Sequence, residues 1–308
     1  MNTSPALNRR AFITHTAQAT AAVAIAGASV LRAKESSKPF IVAAEQVRGL
    51  AVKSDGVIAV AADNAIVLHR PEGSVLRRIT TTKPVRAVSF DSNGRLFATF
   101  KDQVVRLSDA GELVPLGASL GRQSALTGLA IGEGGVIFAA DSGERLVWRL
   151  DASGKVLGQI KPGENGFAVP RAFFPIAWRD GKLFVADPGR HQIHTYSADG
   201  KLLAKWGARS RDLDGFAGCC NPVGFAALPD GTVVTAERGQ TRVKAFDSAG
   251  RYQRLLAGPE QFTASIAAAQ ADSDELFGCQ AGLIDVAASP DGRVVVLDRT
   301  TREVRVLA

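Results

Sequence analysis

The sequence predicts an all-β chain folded as a six-bladed β-propeller, and three features carry that expectation. A turn of the Asp-Gly kind recurs six times, at Asp55-Gly56, Asn93-Gly94, Gly134-Gly135, Asp180-Gly181, Asp230-Gly231 and Asp291-Gly292. Each turn opens an apolar run that closes on a polar or acidic residue, at Asp63, Lys101, Asp141, Asp187, Glu237 and Asp298. That run is apolar on both faces, as in Leu183-Phe184-Val185-Ala186 and Val294-Val295-Val296-Leu297. The strand after it alternates, as in Glu303-Val304-Arg305-Val306. A unit repeated at such spacing marks a repeat architecture. Strands buried on both faces, followed by half-buried ones, are what four-stranded sheets stacked around an axis require.

The fifth copy displays the whole unit. Phe225 to Leu228 forms the first strand, Asp230-Gly231 the hairpin, and Thr232 to Ala236 the second strand. Arg238-Gly239 then turns the chain into Arg242 to Phe246, and Ala249-Gly250 turns it again. Asp-Gly between two apolar runs is a strong hairpin signal, because glycine takes the positive φ that the turn needs. After residue 35, only Ile266 to Leu276 has helical periodicity. The last copy stops one strand short of a blade, while Phe40-Ile41-Val42-Ala43 stands unassigned ahead of the first. Pairing these two ends closes the ring and removes two exposed sheet edges.

The pattern Phe-Val-Ala-Asp-Pro-Gly-Arg-His-Gln-Ile-His-Thr-Tyr-Ser-Ala-Asp-Gly at 184–200 resembles the NHL repeat, and 233–247 resembles it too. The second copy departs from it, with Phe100-Lys101 where an acid is usual. The resemblance runs over roughly residues 40 to 308 and implies the fold without choosing an activity, since NHL-type propellers include binding modules, lyases and lactonases. More narrowly, 215–222 with 282–287 is similar to a group of exported bacterial NHL-repeat proteins. Those relatives tend to carry a further cysteine where Ala217 stands here.

Asn8-Arg9-Arg10-Ala11-Phe12-Ile13 resembles a twin-arginine export signal, and a weakly apolar stretch follows from Ala17 to Leu31. With Gln18 and Thr20 inside it, that stretch is too short and too polar to span a membrane. Residues 1–33 are expected to be a signal peptide and 34–308 the propeller, placing the mature protein in the periplasm or outside the cell. Cutting after Ala33 removes Arg9, Arg10 and Arg32, which lowers the formal charge from +7 to about +4. No basic run exceeds two residues, so a nucleic-acid partner is not expected. With 46% apolar residues the chain can bury a core, as a single ring rather than two domains.

The connections between blades are long only in the second half, over about 158–175, 206–222 and 258–282. Long loops on one face of a rigid scaffold usually carry binding, although neutral insertion explains them too. Cys219, Cys220 and Cys279 all fall in these loops. In an oxidising compartment, a disulfide from Cys279 to Cys219 or Cys220 is the structural reading, and a thiolate metal or redox site the functional one. Asp285 stands where other blades place Gly49, Ala87, Gly128 and Gly224. It would face the axis, holding a cation, a water or an arginine, or bonding loop backbone. Asn221, Arg190 and His191 lie on the same face, where they read as ligand contacts or as turn residues. The recurring acids read as structural turn bonding. Gly117-Ala118-Ser119-Leu120-Gly121 fits G-x-S-x-G but not in a strand-to-helix turn, so it is read as coincidence.

The expectation is an exported, monomeric propeller acting as a non-catalytic binding or scaffold module. It needs no cofactor, and its partner is another exported protein or a small ligand. The rivals are a lyase or lactonase with a divalent metal such as calcium at Asp285, and a thiol or copper redox accessory using the cysteines.

Overall fold

A computed structural model of the chain describes residue 35 and residues 38–170, 173–271 and 284–308. The export-signal motif and Cys279 lie outside the described residues.

Strand β1 (Phe40–Ile41) precedes the first blade. Blade one contains β2 (Val47–Val52), β3 (Ile58–Ala62), β4 (Ala65–His69) and β5 (Val75–Thr80). Blade two contains β6 (Ala87–Phe90), β7 (Leu96–Thr99), β8 (Val104–Leu107) and β9 (Leu113–Leu116). Blade three has β10 (Leu126–Ile131), β11 (Ile137–Asp141), β12 (Leu146–Leu150) and β13 (Val156–Ile160). In blade four come β14 (Ile176–Arg179), β15 (Lys182–Asp187), β16 (Gln192–Ser197) and β17 (Leu202–Trp206). In blade five come β18 (Gly224–Ala227), β19 (Val233–Glu237), β20 (Arg242–Phe246) and β21 (Tyr252–Ala257). Helix α1 (Thr263–Ala271) follows, beginning ahead of the helical stretch expected from the sequence, and then β22 (Ile284–Ala288), β23 (Val294–Asp298) and β24 (Glu303–Leu307). The sheets are six and four-stranded, each antiparallel, and the sixth runs β1-β24-β23-β22. The N-terminal strand thus completes the last blade, as the sequence predicts.

Every strand β3 and its counterparts is buried on both faces because each side belongs to a different core. Ile58, Val60 and Ala62 pack with blade six, around Val295, Leu297 and Val304. The intervening Ala59 and Ala61 pack with blade two, around Val88, Leu96 and Ala98. The same division recurs at the other blade junctions, so the apolar content lies between blades rather than in one central core. Outer strands are wet, as in β5, where only Ile79 is buried. The hairpin glycines take the conformation the sequence assigns them, with Gly56 at φ +87° and Gly231 at φ +83°.

The Asp-Gly hairpins occupy one face of the disc. The opposite face carries the inter-blade connections, described over 81–86, 117–125, 161–170, 173–175, 207–223 and 258–271, and the later strands are separated by more residues. The recurring acids pin these connections. Asp141 Oδ1 accepts the Ala125 amide at 2.8 Å, Asp187 Oδ1 that of Ala168 at 2.8 Å, and Glu237 Oε2 that of Ala217 at 3.1 Å. Asp298 accepts the Ser265 hydroxyl from α1. Asp141, Asp187 and Glu237 thereby satisfy backbone donors of the loop leading into their own blade, and Asp298 a hydroxyl of the loop leading into its own, a structural role, as their recurrence implies.

Candidate ligand site at the channel mouth

The innermost strands β2, β6, β10, β14, β18 and β22 wall a central channel. At the hairpin face it opens into a cavity of about 250 Å³, and at the inter-blade face into one of about 80 Å³. The strands approach closely at the second end. A Cβ on Gly128 would lie 2.1 Å from the Phe174 carbonyl oxygen, and one on Gly224 would lie 2.8 Å from that of Ile284. Small residues are therefore a steric requirement of the ring. Register puts Asp285 in this series, opposite Leu297 as Gly128 is opposite Ala140 and Gly224 opposite Ala236.

Asp285 uses both oxygens on backbone. Oδ2 accepts the Leu50 amide at 3.1 Å, tying blade six to blade one, and Oδ1 accepts the Val286 amide at 2.9 Å. Burial pushes its carboxyl up to about 6, against the pull of Arg299 and the two amides. Its remaining surface faces the channel rather than open solvent. Arg299 lines the same cavity and donates from Nε to the Val47 carbonyl oxygen at 3.2 Å. Burial lowers that guanidinium to about 10, with Asp285 opposing, so it stays charged at neutral pH. Arg48 pairs with Asp63. Arg86 is lowered by burial and by the charge of Arg48, and its Nε is buried without a hydrogen-bond partner. Thr127 Oγ1 is buried and unpartnered in the same wall.

The sequence reading missed Arg48, Arg86, Thr127 and Arg299. A signal for the first three exists: each immediately precedes the small inner-strand residue, as Arg48-Gly49, Arg86-Ala87 and Thr127-Gly128. Their blades are one, two, three and six, whereas the long connections lead into blades four to six.

The other expected site residues are held by their own loops. Arg190 Nη1 donates to Asp187 Oδ2 at 2.6 Å and to the Gly166 carbonyl oxygen at 3.1 Å. His191 is buried at φ +58° with Nε2 3.0 Å from the Gly218 carbonyl oxygen. Asn221 is fully buried; its amide donates to the Ala217 and Arg238 carbonyl oxygens, and its Oδ1 accepts the Arg238 amide at 3.0 Å. Held in this way, these residues shape the loops beside the channel, with the Arg190 side chain 41% exposed. Cys219 is exposed, with Arg238 Nη2 2.6 Å from its sulfur, and Cys220 packs against Phe173 and Val223; the two are not joined to each other. The expected bond to Cys279 lies outside the described residues. His69 and His194 are buried, bonded to the Gly73 carbonyl oxygen and to Tyr196 and Gln192.

A divalent metal does not fit Asp285. Its two oxygens already accept amides and three guanidiniums line the same cavity, so a cation would meet repulsion there. Among the described residues, no group of three His, Cys, Asp or Glu side chains is placed to hold a metal. No helix among them is long and apolar enough to cross a membrane.

Asp285 carries a testable consequence for stability. Its folded-state pKa of about 6 lies above the ordinary 3.8, so between those values the folded protein binds more protons than the unfolded chain. Ionised Asp285 therefore costs stability above about pH 6 and nothing below about pH 4. Asp285→Asn is expected to gain ~1–3 kcal/mol at about pH 7.5 and nothing at about pH 3.5, read by urea unfolding. An equal change at both pH values would contradict the assignment.

No family model matches the sequence, and no curated protein matches it. Among solved structures, the fold is similar to a gluconolactonase from Xanthomonas campestris, with TM-score 0.60 and 17% identity over 86% of each chain. It is also similar to virginiamycin B lyase from Staphylococcus aureus, with TM-score 0.58 and 14% identity over 85% of this chain and 80% of that one. A streptogramin B lyase gives TM-score 0.58 and 13% identity over 88% and 97%. At such identities the likeness establishes the six-bladed propeller fold and nothing of the chemistry.

Proposed function

We propose that the chain is an NHL-type propeller, exported behind its twin-arginine leader, that works as a non-catalytic binding module and holds a small ligand at the inter-blade mouth of its channel. One observation carries this reading: a cavity on the long-loop face whose wall keeps unpartnered polar atoms, Arg86 Nε and Thr127 Oγ1. Buried polar groups are costly without partners, and a ligand supplies them. None of the described histidines hydrogen-bonds a serine, threonine or cysteine hydroxyl or thiol, so a histidine-activated nucleophile has no support among them. A nucleophile–base pair needs that contact.

The test is a thermal-shift screen of neutral, cationic and anionic small molecules on the protein and on Thr127→Phe, whose ring fills the cavity. At a hundredfold excess over its Kd, a ligand stabilises by ~2.7 kcal/mol, and the shift is expected to vanish in Thr127→Phe. Hits that persist in that variant, or conversion of a hit to product, would overturn the reading.

A further inference from the structure

We propose that the channel mouth is an oxyanion site, in which Arg48, Arg86 and Arg299 receive a carboxylate or phosphate group and Thr127 donates its hydroxyl to it. The inference rests on the binding reading above and adds the ligand's charge. All four side chains line one cavity. They arrive there from different blades, Arg48 on β2, Arg86 just ahead of β6, Thr127 on β10 and Arg299 just after β23. Only ring closure brings these positions together.

The charge is unbalanced. Three guanidiniums share the neighbourhood with the carboxylates of Asp63 and Asp285. Asp63 is engaged with Arg48, and Asp285 spends its oxygens on the Leu50 and Val286 amides. Arg86 is left as a half-buried cation whose Nε has no hydrogen-bond partner, with Asp63 attracting it from a distance and Arg48 opposing. Mutual repulsion between Arg48 and Arg86 within a low-dielectric wall is unfavourable, and an incoming anion removes it. Guanidinium forks match planar carboxylate and tetrahedral phosphate oxygens, and their hydrogen bonds to charged acceptors are strong ones. At about 80 Å³ the cavity holds roughly two or three waters, or a single small oxyanion group. A ligand larger than that leaves its remainder outside, toward the connections of the same face.

Asp285 makes the proposal sharper, because it is a carboxylate competing for the same cations. Removing its charge should improve anion binding, whereas a merely structural role would predict damage. The groups sharing its cavity are Arg48, Arg86 and Arg299, and Asp298 on the adjoining strand is held by Ser265.

The experiment titrates acetate and inorganic phosphate, separately and against chloride at constant ionic strength, into the protein at about pH 7.5 by calorimetry. Acetate binding tighter than phosphate assigns a carboxylate ligand, and the reverse a phosphate ligand; each supports the proposal. Arg86→Met is expected to weaken the anion at least ~10-fold, Arg86→Lys to weaken it less, and Asp285→Asn to tighten it several-fold. Wild-type binding unchanged in Arg86→Met, weakened in Asp285→Asn, or absent for both anions would overturn it. Should anions fail while neutral ligands bind and are lost in Thr127→Phe, the binding module stands and only its charge preference falls. Failure of every ligand class removes both.

Discussion

Replacing Glu237 with alanine is expected to lower the unfolding free energy by ~3–5 kcal/mol, because it strands two buried cations. Lys244 and Glu237 are both fully buried and form an ion pair, and Arg242 Nη2 lies 3.2 Å from the same carboxylate. Burial pushes the Lys244 ammonium down to about 8, with Glu237 pulling it back up. The remaining donors of this cluster hold the connection 207–223. Lys244 Nζ donates to the Leu213 carbonyl oxygen at 3.0 Å and also to that of Gly215, while Arg242 donates to the carbonyl oxygens of Arg211 and Asp212. The ammonium also sits 5.0 Å from the ring centres of Phe216 and Phe246. Removing the carboxylate thus leaves uncompensated charge and frees the Ala217 amide at once. Urea unfolding reads the loss. The double variant Glu237→Leu, Lys244→Met should recover part of it, since it removes one of the two stranded cations while Arg242 stays unpaired. A loss below about 1 kcal/mol for Glu237→Ala would contradict the account.

Removing residues 39–44 should have an effect of similar size through the ring's closure. Strand β1 pairs Phe40 with Val304 and Ile41 with Glu303, and the Val42 amide donates to the Arg302 carbonyl oxygen at 2.9 Å. Val42 is fully buried in the core between blades six and one, and Phe40 stacks near His69 at 4.8 Å between ring centres. Arg302 and Arg78 donate to the carbonyl oxygens of Ala44 and Ala43 at 3.0 and 2.7 Å. Burying the apolar side chains alone is worth ~3–5 kcal/mol. At ~2–4 °C per kcal/mol for a chain of this size, the melting temperature should fall by ~10 °C or more. The deletion also exposes the β24 edge, so concentration-dependent aggregation should accompany the loss. An unchanged melt would mean that the ring does not depend on this strand.

The fold was legible because propeller geometry writes itself into local pattern. A strand sandwiched between two blades needs apolar residues on both faces, and β3, β11, β19 and β23 are buried at every position and apolar apart from Thr235 and the closing acids Asp141, Glu237 and Asp298. The acids closing these strands were legible as structural because they recur, and the amides they accept explain why. Asp285 stood out for the opposite reason, as a carboxylate where the ring admits small residues.

The channel mouth was only partly legible. Arg48, Arg86 and Arg299 are far apart in sequence, and each resembles an ordinary surface charge until ring closure places them around one cavity. Arg190, His191 and Asn221 show the opposite case, their hydrogen bonds being invisible in the sequence. Asn221, in the long connection 207–223, is bonded at both ends of its amide, while Arg190 and His191, in the short turn after β15, bond Asp187 and the carbonyl oxygens of Gly166 and Gly218. Loop length pointed to the face on which the guanidiniums cluster but not to the blades that carry them.

The most direct test of the account is a crystal of this protein soaked in selenate, with data collected at the selenium edge. The account predicts an anomalous peak within hydrogen-bond distance of the Arg86 and Arg299 guanidiniums, lost in Arg86→Met crystals. A mouth without selenate, while other surface arginines bind it, would contradict it.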